Sequence, residues 1–165
     1  MQARIGVAAL LAMLFVAAPA AAQRKYDVNN DPALQASWAL LKYTRNAVQA
    51  GWNHDPNTGT TMVDYLRSGR LQRNWQSVYA SLPPDMQRLI GPCMDRVPEA
   101  IRLTIDAWDI LIRERQHPSP RQERTRRIDT ANRMLKDAGR LTQDASTCWM
   151  RARNEYIKRG GRRRN

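Results

Sequence analysis

The side chains from which this 165-residue chain could build a reaction are few: two histidines, His54 and His117, two cysteines, Cys93 and Cys148, and four glutamates, Glu99, Glu114, Glu123 and Glu155. Each histidine stands beside a proline, in His54-Asp55-Pro56 and His117-Pro118, so both belong to loops. No GxSxG, HExxH, CxxC or phosphate-binding glycine loop occurs, which removes the common nucleophile, zinc and nucleotide chemistries. Covalent haem attachment needs CxxCH, and that spacing is absent. A noncovalent haem would need inward-facing ligands on helices. With the histidines in loops, Met62, Met86, Met94, Met134 and Met150 read as packing filler. No cofactor is expected.

A cell-wall hydrolase needs a carboxyl whose pKa is raised to act as general acid. All four glutamates fall beside Arg or Lys on charged helix faces, where a carboxylate pKa is lowered. The segment DPNTGT offers Asp55 and Asn57 as the first oxygens of a calcium loop, but the twelfth position is Leu66 and supplies no bidentate carboxylate. An Asx-type turn accounts for it better. The order His54-Asp55 resembles the catalytic pair of secreted phospholipases A2. Here Pro56 follows directly, no cysteine adjoins and no glycine-rich loop precedes it, so no lipid hydrolase is inferred.

The chain opens with Arg4, an apolar run Ile5–Val16, a helix-breaking Pro19 and the small residues Ala20-Ala21-Ala22. That order is the layout of a secretory signal peptide, with cleavage expected after Ala22, and the run is too short for a mature membrane helix. The exported chain is expected to be one helical domain, residues 23–159, followed by a flexible basic tail, residues 160–165. A periplasmic location is the first expectation and secretion the second. In an oxidising compartment an even pair of cysteines reads as one disulfide, Cys93–Cys148. It would close a 56-residue loop and stabilise the fold by about 4 kcal/mol in the chain-entropy model.

Charge is strongly uneven. From residue 23 to 120 there are 12 basic and 10 acidic residues, and from residue 121 to 165 there are 14 and 5. Arginine outnumbers lysine 23 to 4, which fits either bidentate contacts to anions or a codon bias that also enriches alanine.

Nothing reads as a strand. Asp31-Pro32 opens a first helix ending near Gly51, with Leu34, Trp38, Leu41 and Val48 along one side. The stretch Trp52–Thr61 reads as a loop, and Thr61 with Asp64 as the start of a short helix ending near Gly69. Leu71, Trp75, Val78 and Leu82 mark another, stopped by Pro83-Pro84. Pro92 and Pro98 precede a helix over Glu99–Gln116, apolar around most of its circumference and expected to be the most buried. The tryptophans Trp38, Trp52, Trp75, Trp108 and Trp149 are expected to supply the aromatic core. After the HPSP turn, a long helix runs from about Pro120 to Arg159. Its positions Ile128, Ala131, Leu135, Ala138, Thr142, Ala145, Trp149, Ala152 and Tyr156 alternate spacings of three and four. As heptads, every d position is alanine, which lets a neighbouring helix approach closely. The neighbour is expected within the same chain, most simply the Glu99–Gln116 helix, with a homo-oligomer as the alternative. Gly139 offers a possible break at a cost of about 1 kcal/mol relative to alanine. The fold class is all-α, an irregular bundle of about four main helices with one disulfide.

These observations point to an exported, non-enzymatic binding protein. Its basic C-terminal region, Arg151, Arg153, Lys158, Arg159, Arg162, Arg163 and Arg164, would engage an anionic envelope component or an acidic protein. A structural or assembly role through the heptad helix is the alternative. A small cell-wall or lipid hydrolase, or an exported nucleic-acid binder, ranks below both. Nucleic acid is not an expected partner, because the tail carries no aromatic stacking platform.

Overall fold

The computed structural model describes residues 30–159. The expected signal peptide, the tail from residue 160 and Arg162, Arg163 and Arg164 lie outside the described residues. Within them the chain forms six helices: α1 (Pro32–Trp52), α2 (Pro56–Arg67), α3 (Arg70–Ala80), α4 (Pro84–Met94), α5 (Val97–Gln116) and α6 (Arg121–Lys158). No strand occurs among the described residues.

Two helices begin in the same way. At the start of α1, Asp31 Oδ1 accepts the backbone N–H groups of Ala33 (2.9 Å) and Leu34 (3.0 Å), while Pro32 occupies the first helical position. At α2, Asp55 Oδ1 accepts those of Asn57 and Thr58, both at 3.2 Å, ahead of Pro56. The helix therefore starts at Pro56, five residues before the expected Thr61. What reads locally as an Asx turn is the N-cap of α2, and the loop shrinks to Asn53–Asp55. The Asp55 carboxyl is held below its ordinary value, first by the Thr58 hydroxyl and then by the Thr58 and Asn57 amides.

A second correction is α4. Pro83-Pro84 does stop α3, but Pro84 also serves as the first residue of a new helix, where a missing N–H costs nothing. Gln87 Nε2 donates to the carbonyls of Tyr79 (3.2 Å) and Leu82 (3.0 Å), satisfying acceptors left by the end of α3. Cys93 consequently lies in α4 and not at the start of α5, which begins at Val97.

The most buried helix is α1, not α5. Eleven of its 21 residues are buried, because α1 packs against α2, α3, α5 and α6. The five residues Leu103, Ile105, Ile110, Leu111 and Ile112 of α5 are only half-buried. Polar side chains pin α1 in register. Trp108 Nε1 donates to the Ala47 carbonyl at 2.9 Å, Trp149 Nε1 to Ser37 Oγ at 2.8 Å, and the Tyr156 hydroxyl to Asp31 Oδ2 at 3.0 Å. The rising numbers on α1 against the falling numbers on α6 make these two helices antiparallel. Gly59 of α2 sits directly on the Trp108 ring, where a Cβ would come within 2.0 Å of the indole carbons. Only glycine allows that approach.

Candidate anion-facing surface

Helix α6 runs unbroken for 38 residues, so Gly139 does not divide it. The α1 side chain nearest the position of an added Cβ is Val48, with Cγ1 at 3.5 Å. The seam faces inward: Ala131, Leu135, Ala138, Thr142, Ala145, Trp149, Ala152 and Tyr156 are all buried, and Ile128 is half-buried. The neighbours of α6 are α5, α1 and α4. Close contact is set by the small residues; at the Gly51 level, a Cβ would meet Leu135 Cδ1 at 2.6 Å. The disulfide Cys93–Cys148, with Cα atoms 5.3 Å apart, fixes α4 to the same helix.

With the seam turned inward, the charged positions of α6 face solvent. Their arrangement differs from the expected C-terminal cluster. Arg151 and Lys158 are exposed and seven residues apart, hence on one side, whereas Arg153 is half-buried and points elsewhere around the helix. Arg159 is committed to Glu155, with Nε 3.0 Å from Oε1. Among the described residues, the expected group is therefore split into one exposed pair, a half-buried Arg153 and an Arg159 paired with Glu155.

A second basic region is the turn between α5 and α6. Between Arg113 and Arg127 there are six arginines and two glutamates. Both glutamates serve a single cation: Arg127 Nη1 lies 3.1 Å from Glu114 Oε1 and Nη2 lies 2.6 Å from Glu123 Oε1. Arg113, Arg115, Arg121, Arg124 and Arg126 are exposed and make no ion pair among the described residues.

Glu114 is the keystone of that turn. The residue is 2 % exposed, against the expectation of a solvated charged face. Its carboxylate accepts the Ser119 backbone N–H (3.0 Å) and hydroxyl (2.8 Å) in addition to Arg127. These bonds hold its pKa below the ordinary value, with the Ser119 amide the largest cause and Arg127 a smaller one. A carboxylate so satisfied is ionised and structural, which leaves it unsuited to donate a proton.

A shallow cleft of about 290 Å³ lies beside the disulfide, rimmed by Arg96, Arg140 and Asp144. Arg140 also approaches Asp137, at 4.0 Å. No group of three or more His, Cys, Asp or Glu suited to a metal ion occurs among the described residues, and His54 and His117 both fall outside the helices. No described helix is long and apolar enough to cross a membrane.

No family model, curated protein or solved structure matches this chain. The functional reading rests on the chemistry of its surface alone.

The hairpin arginines escaped sequence reasoning because charge counting cannot tell which ions are neutralised. In the run RERQHPSPRQERTRR, Glu114 and Glu123 stand among six arginines, and the sequence does not say which of these they neutralise. Only geometry assigns both to Arg127.

Proposed function

We propose that the protein is an exported, non-enzymatic helical binding protein that presents a basic surface to an anionic component of the cell envelope. The observation that carries this reading is the division of labour on α6, whose apolar seam is used up inside the chain while its unpaired arginines face solvent. Arginine suits the role because its planar guanidinium binds phosphate or carboxylate in a bidentate manner. The disulfide is compatible with an oxidising compartment, as export by the expected signal peptide requires. An assembly role through the heptad seam has less support, since those residues are already covered by α1, α4 and α5.

The test is retention of the folded chain on vesicles with and without anionic lipid across a salt series. Retention on anionic vesicles alone, falling as salt rises, is the expected result. Equal retention on neutral vesicles, or none on either, contradicts it.

A further inference from the structure

Resting on that reading, we propose that the contact is made by the tip of the α5–α6 hairpin, docking end-on against the headgroups of an anionic lipid bilayer. The C-terminal end of α6, where sequence alone locates the binding residues, is secondary.

The hairpin projects. Gly51, near the end of α1, lies level with Leu135, and α6 continues beyond that level to Arg121, a further 14 residues or about 20 Å at helical rise. Across residues 112–130 Glu114 is the one buried residue. It welds the turn shut through Ser119 and Arg127, so the arginines stand on a fixed support instead of a loose loop.

The arrangement of the arginines points to a surface. Arg113 and Arg115 are about 200° apart around α5, and Arg124 and Arg126 are about 200° apart around α6. Charges thus surround the tip, where no pocket could enclose a small anion and no single face could match an acidic helix. A plane of phosphates met end-on engages all sides together. The exposed large apolar side chains, Trp52 and Met150, lie elsewhere, so binding is peripheral and electrostatic, without insertion.

The experiment compares two variants of the chain from residue 23 on phosphatidylglycerol-containing vesicles. Arg121→Gln/Arg124→Gln/Arg126→Gln changes exposed helical positions to another good helix former, and circular dichroism checks that it folds. Arg151→Gln/Lys158→Gln, with residues 160–165 removed, tests the other end. The tip variant is expected to lose about a hundredfold in affinity at low salt, and the C-terminal variant clearly less. Undiminished binding by the tip variant, or equal losses in both, overturns the tip assignment while leaving an anion-binding protein. Failure of the unaltered chain to bind overturns both readings. Binding to polyglutamate or duplex DNA as tightly as to vesicles overturns the bilayer as the partner.

Discussion

The two ends of α6 belong to one unbroken helix and do opposite things. Toward its C-terminus the helix is locked: Trp149 and Tyr156 reach into α1, Cys148 is bonded to α4, and alanines bring the backbones together. Toward its N-terminus, from Arg121 to Thr130, no residue is buried, and a turn organised by one buried glutamate replaces a core. Apolar spacing builds the first end, and a charge network builds the second. A long helix can therefore serve as a scaffold at one end and a probe at the other.

Breaking the disulfide is the heaviest test of the locked end. Replacing Cys93 and Cys148 together by Ala is expected to lower unfolding free energy by about 4 kcal/mol, read as a lowered denaturant midpoint. Next comes Leu135→Ala, which empties a fully buried site against Gly51 and should cost about 3 kcal/mol. Tyr156→Phe keeps the ring and removes the hydroxyl bonded to Asp31. A loss of about 1 kcal/mol is expected in the same titration. Gly139→Ala should instead raise stability by about 0.5–1 kcal/mol, since the added methyl meets only ordinary contact with Val48.

The hairpin should answer to pH through Glu114. Glu114 has a lowered pKa when folded, so its contribution is present above the ordinary glutamate value and fades as pH falls through the folded one. Glu114→Gln should therefore be less stable than the parent near neutrality. The gap should close on acidification, measured by denaturant titration at each pH. A gap that stays constant down to pH 2 would mean that the charge of Glu114 contributes nothing.

Much of the fold was legible because apolar periodicity reports burial directly. The α6 seam and the Asp31-Pro32 cap depend on local residue types, and the Cys93–Cys148 pairing follows from the chain having two cysteines. What was missed depends on context. Asp55-Pro56 repeats the Asp31-Pro32 signal, but the glycine that follows it argued for a loop until Trp108 was seen to need Gly59. Apolar content around α5 suggested the deepest burial, yet position among neighbours decides that, and α1 occupies the centre. The distribution of unpaired charge was not legible, because ion pairing is settled in three dimensions: Glu114 and Glu123 both go to Arg127.

The most direct test of this contrast is amide hydrogen exchange along α6 in the chain from residue 23, with and without anionic vesicles. Slow exchange is expected from Leu135 to Tyr156, and faster exchange from Arg121 to Thr130 that slows when vesicles are added. Uniform protection along the helix, or vesicle-induced protection confined to residues 151–159, would contradict the account.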